Sequence, residues 1–126
     1  AIQYRKDVLR YCIAGHPRPI IYRSQQGEFE TLESNGGIAG VIPESYYRGQ
    51  VVRLNINDVT VLFTDGIIEA RSARGFFGEH RLKAIVESSR EETAQKIADQ
   101  IFAGVSRFTS NNLNDDAAVV VLKKIS

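Results

Sequence analysis

The sequence has no tryptophan, no methionine and one cysteine among its 126 residues. A lone Cys12 cannot form an internal disulfide, which favours a reducing compartment and a cytoplasmic location. An excess of charge of one sign is also missing, since 16 basic side chains face 15 acidic ones for a formal net charge of +1. That balance supplies no field for nucleic acid or for an anionic membrane. No apolar run approaches the roughly 20 residues that cross a bilayer. The opening stretch, AIQYRKDVLRY, has neither an initiating Met nor the apolar core of a signal peptide. The chain is therefore expected to be part of a longer protein.

What is present fits one globular domain spanning residues 1–126, with 43% hydrophobic and 25% charged residues. A chain of this length can bury a moderate core. The first half reads as strands over 8–14, 19–23, 29–33, 50–55 and 59–64, broken by Gly, Pro, Asn and Asp. Gln25-Gln26-Gly27 and Asn57-Asp58 read as turns. The stretch SNGGIAG at 34–40 reads as a loop, without the Gly-Lys-Ser/Thr ending of a phosphate loop.

The period then changes. Residues 79–88 read as a short helix and 91–108 as a longer one, with Ala94, Ile97, Ala98, Ile101, Phe102, Val105 and Phe108 at helical spacing. Ser89 and Glu92 match a capping box for it. A final strand is expected over 117–123. The runs 59–63 and 117–122 are apolar at nearly every position, so both faces of these strands should be covered. Strands in succession followed by helices point to an α+β fold, two antiparallel sheets face to face with helices outside.

Two acidic stretches stand at strand ends. LFTDGIIEA places Asp65 where one strand stops, and NDDAAVVVL places Asp115 and Asp116 where another begins. If those strands pair antiparallel, the end of one and the start of the other share a sheet edge. Facing carboxylates repel unless a cation lies between them, and a hard divalent ion held by carboxylates and water makes a phosphate-handling site. Asp-Gly and Asn-Asp are also common turn sequences, and taken singly each is more often structural than functional. A calcium loop over 111–116 is a poor reading, because the alternating oxygen ligands and central Gly of such loops are missing.

Read together, YCIAGHPRPIIYR, GGIAGVIP, VLFTDGIIEARSARGFFGEHRL and NLNDDAAVVVLKK resemble the C-terminal half of bacterial PPM-family metal-dependent protein phosphatases of the SpoIIE/RsbU type. The resemblance implies an αββα sandwich. It implies hydrolysis of phosphoserine or phosphothreonine on a protein such as a STAS-type anti-sigma-factor antagonist, using a pair of Mn²⁺ or Mg²⁺ ions. Asp65 and Asp115 match metal ligands, with Asp116 as the alternative or as a neighbour behind the ligand. The family often has a Thr two positions after the Asp pair, where this chain has Ala117 and Ala118. The earlier acidic motifs that complete the metal centre are missing, so this polypeptide alone is expected to be inactive. The alternative is a degenerate, non-catalytic binding module of the same fold. A second copy of the chain is kept open as a partner.

His16, in AGHPRP, is the candidate acid or base, set against a backbone-capped turn. Cys12 with His16 gives too few ligands for a structural zinc. Arg18, Arg71 and Arg74 are candidates for gripping a phosphorylated partner, set against ordinary solvated surface. The loop 42–49, with Tyr46 and Tyr47, is a candidate docking patch.

Overall fold

The structure, a computed structural model, describes residues 2–5, 8–11, 17–32, 50–113 and 116–126. Cys12, His16, Tyr46, Tyr47, Asp115 and the 34–40 loop lie outside the described residues. Strands β1 (Ile2–Arg5), β2 (Val8–Tyr11) and β5 (Gln50–Arg53) form one antiparallel sheet. A second antiparallel sheet has the order β4 (Glu28–Thr31), β3 (Ile20–Arg23), β6 (Val59–Phe63), β9 (Val119–Lys123). Between β6 and β9 the chain makes α1 (Asp65–Ile68), the hairpin β7 (Arg71–Ser72) with β8 (Gly75–Phe76), α2 (Gly78–Ser88) and α3 (Ala94–Phe108).

Alternation sorts the second sheet into two faces. Ile20, Tyr22, Val59, Val61 and Phe63 share the main core with Leu82 and Val86 of α2 and Ile97, Ile101 and Val105 of α3. Those three α3 residues recur every fourth position and are fully buried. Each such side chain contributes about 2 kcal/mol by leaving water. The opposite face carries Ile21 and Leu122, which pack with Leu32, Leu54 and Val52 of β5. The two sheets meet through this second cluster. Helix, sheet and sheet, three of the four expected layers, are present among the described residues.

The helices cross closely. A Cβ on Gly104 of α3 would lie 2.5 Å from Cδ1 of Ile85 on α2, so a side chain there would require the Ile85 methyl to turn aside. No described helix is long and apolar enough to cross a membrane.

Three sequence expectations need correction. The long helix starts at Ala94, capped by Thr93, whose hydroxyl accepts from the Lys96 amide at 3.2 Å. Ser89 instead ends α2, its hydroxyl donating to the Ile85 carbonyl at 2.6 Å, and the Glu92 amide donates to the Ser89 carbonyl. The capping-box spacing thus marks a turn between helices. The last strand is not covered on both faces, because Val120 is 54% exposed; among the described residues β9 also lies at the sheet edge. The Asp65-Gly66 pair, a common turn sequence, instead opens a helix, and Gly66 lies inside α1. The Gln25–Gly27 turn stands, with Gly27 at φ 67° where a side chain would be strained.

One buried charge joins the sheets. Asp58 is fully buried and accepts from the Asn55 amide at 2.9 Å, the Ser24 amide at 3.0 Å and Arg23 Nη1 at 2.9 Å. Arg23 also donates to Glu30 at 2.8 Å and to the Arg53 carbonyl at 2.7 Å. Burial works against the Arg23 charge, but the bonds to Glu30 and Asp58 outweigh it and make the guanidinium more basic than usual. Removing the carboxylate leaves a cation and two amides short of a partner. Asp58→Ala is expected to lower stability by about 3 kcal/mol, read as a shift in the urea unfolding midpoint.

Candidate metal centre

The β6–β9 ladder determines which residues meet at its end. The strands are antiparallel, with Val59 opposite Lys123, Val61 opposite Val121 and Phe63 opposite Val119. Past the last pair, the Thr64 amide donates to the Ala118 carbonyl at 3.1 Å. The next residue on one side is Asp65; on the other side the chain runs back to Asp116. The edge shared by a strand's exit and another's entry therefore exists, and Asp65 and Asp116 stand on it.

Two local features tighten the junction. Thr64 occupies the N-cap position of α1, where a threonine hydroxyl ordinarily accepts from the helix's own amides. Here it makes no such bond. It donates to the Asp116 carbonyl at 2.7 Å and accepts from the Ala118 amide at 2.9 Å. The hydroxyl thus clasps the chain on both sides of Ala117, 52 residues away from Asp116 in sequence. Gly66 supplies the second feature. A Cβ there would lie 2.7 Å from Asp116 Oδ1 and 2.9 Å from both N and Cα of Ala117. Glycine is needed for this close approach. Most of the opposing atoms are backbone, so an added methyl would push the loop away at a cost of roughly 1–3 kcal/mol.

The chemistry of the donors fits a divalent cation. Asp65 and Asp116 are both exposed, and among the described residues neither belongs to an ion pair. Asp116 Oδ1 lies against Gly66, the residue after Asp65, and carboxylates placed at such a strand junction would suit a hard cation with water in its remaining positions. The described residues contain no group of three His, Cys, Asp or Glu side chains able to hold a metal, so the centre is partial as described.

The remaining candidates divide. Arg71 lies 4.7 Å over the ring of Phe76, a local contact within the β7–β8 hairpin. Arg18 is exposed. Arg74 lines a groove beside α2 and α3. Thr64 was not singled out by sequence reasoning, because its partners lie across the sheet. The signal that could have found it is the absent Thr after the Asp pair, which leaves the loop without a hydroxyl of its own.

Comparison with known proteins fits this geometry. The chain is 28% identical over 119 residues to the phosphoserine phosphatase RsbU of Bacillus subtilis, matching 94% of this chain and 36% of the relative. It thus spans about a third of that relative's length. The phosphatase domain of the cell fate determinant SpoIIE from Bacillus subtilis, in a manganese-presoaked crystal, superposes with a TM-score of 0.68 at 23% identity. The match covers 94% of this chain and 51% of the SpoIIE domain. The RsbU and RsbW domains of a Mycobacterium tuberculosis protein superpose with a TM-score of 0.71 at 23% identity, over 94% of this chain and 33% of that one. The fold is that of part of a PPM phosphatase domain. The family model described as Stage II sporulation protein E (SpoIIE) matches residues 1–124, and the chain belongs to that family.

Proposed function

We propose that this chain is the C-terminal part of a metal-dependent protein serine/threonine phosphatase domain that acts on a phosphorylated regulatory protein in the cytoplasm. The observation that carries this reading is the placement of Asp116 Oδ1 against Gly66, next to Asp65, at the end of the β6–β9 ladder. Asp65 and Asp115, with Asp116 as the alternative or as support behind the ligand, hold Mn²⁺ or Mg²⁺ together with ligands from elsewhere in the parent protein. A bound pair of such ions would supply positive charge for phosphoryl oxygens and make a bound water more acidic. The protein's own part is to fix the carboxylates. Thr64 sets the distance between the strand exit and the Asp116 loop, and Gly66 lets the two backbones touch.

The relative named a phosphoserine phosphatase supports the reaction class. The family resemblance supports a STAS-type anti-sigma-factor antagonist as substrate. The second reading, a non-catalytic binding module, draws on the absence of three clustered ligands among the described residues. The acidic pair weighs against it, because a module freed from metal binding has no need of carboxylates at both the exit of β6 and the entry of β9. On the phosphatase reading, residues 1–126 alone turn over no phosphopeptide, since two or three carboxylates cannot hold a two-metal centre.

Two experiments test the assignment in the full-length protein. Asp65→Asn is expected to reduce Mn²⁺-dependent hydrolysis of a phosphoserine peptide by about 100-fold or more, the loss of several kcal/mol of charge stabilisation. Equal rates would remove Asp65 from the centre. Thr64→Val keeps the shape and removes the clasp, whereas Thr64→Ser keeps the hydroxyl. Calorimetric titration with Mn²⁺ should show affinity weakened about tenfold by the valine and nearly restored by the serine.

A further inference from the structure

Apart from the acidic pair, the β7–β8 hairpin, α2 and α3 border a shallow, open groove of about 390 Å³. Phe77, Ile85 and Phe108 line it, and Arg74, Arg81 and Arg107 bring the charge; no carboxylate lines it. None of the three arginines belongs to an ion pair among the described residues. Arg81 is held in place without being neutralised. Its Nη1 donates to the carbonyls of Phe76 at 2.8 Å and Phe77 at 2.9 Å, and its guanidinium lies 4.5 Å over the Phe108 ring. Arg74 and Arg107 are exposed.

In a chain whose charges nearly balance, three cations around an apolar hollow are a local departure. We propose that this groove docks an acidic segment of a partner protein carrying one bulky apolar side chain. The apolar side chain enters the hollow beside Phe108 and Ile85, and flanking carboxylates meet Arg74 and Arg107. A fixed Arg81 lowers the ordering needed on binding, because its rotamer is already set. Arginine suits the task through its planar fork, which grips a carboxylate with two parallel hydrogen bonds.

Two other classes of occupant match the surface less well. Phe77 is 2% exposed and too deep to enter a bilayer. A nucleic-acid base needs a bare aromatic face for stacking, and Arg81 already lies over that of Phe108. The groove shares no residue with the metal centre, so the proposal stands or falls independently of the phosphatase reading.

The test is selection of a random 12-residue peptide display library on the immobilised full-length protein. Enriched peptides should combine two or more Asp or Glu with a Phe, Leu, Ile, Met, Tyr or Trp. Fluorescein-labelled copies should bind the Arg74→Glu, Arg107→Glu double variant at least about tenfold more weakly, and should weaken as salt rises. Both positions are exposed, and a thermal melt matching wild type confirms the fold; the Arg74→Ala, Arg107→Ala variant repeats the measurement without reversed charge. Asp65→Asn should bind the peptides as wild type does. Failure to enrich, enrichment without acidic bias, or equal binding to the double variant overturns the proposal. Binding of phosphatidylglycerol vesicles or of single-stranded DNA that the double variant loses, with no peptide bound, overturns it in favour of that occupant.

Discussion

The pairing of β6 with β9 is the constraint on which the rest of the structure depends. It joins parts of the chain more than fifty residues apart, so its closing entropy must be offset by what lies between them. That segment folds into α2 and α3, whose buried stripes cover the face of the sheet built by Val59, Val61 and Phe63. The ladder's register then leaves no freedom at its end. Phe63 opposite Val119 puts Thr64 beside Ala118 and brings Asp116 to Gly66. A slip of one residue would exchange the core and outer faces of β9 and separate the acidic pair.

The second long-range tie, Asp58 with Arg23, works at the other end of β6. It connects the β3–β4 hairpin, the exit of β5 and the entry of β6. A buried ion pair is weak evidence for stability on its own. Here the carboxylate accepts two backbone amides in addition to the arginine, so its desolvation is matched by donors. β6 is thereby anchored at its start by a charge and at its end by a hydroxyl.

Much of this was legible in the sequence because it follows from period. The β3, β4, β5 and β6 strands and both longer helices are visible in apolar spacing, and the approach of Asp116 to Gly66 at the end of β6 follows from assuming an antiparallel pair. Features without a period were not legible. A one-turn helix such as α1 and two-residue strands such as β7 and β8 are too short to show one. Ser89 and Glu92 satisfy a capping pattern, yet Thr93 sits nearer the apolar stripe and makes the cap. The edge position of β9 is a property of its neighbours, which composition does not contain. Thr64 and Arg81 gain their roles only from carbonyls and rings that the fold brings to them.

The contact between Gly104 and Ile85 carries a consequence for how this sequence can drift. A Cβ at 104 would fall on Cδ1 of Ile85, the far end of a flexible and only half-buried side chain, so a small enlargement there is met first by rotation of Ile85. A methyl gained at 104 is compatible with the same helix crossing once Ile85 turns its terminal methyl aside or is shortened to valine. Substitutions at 104 and 85 are thus coupled through a single methyl group, while the angle between the helices can stay the same.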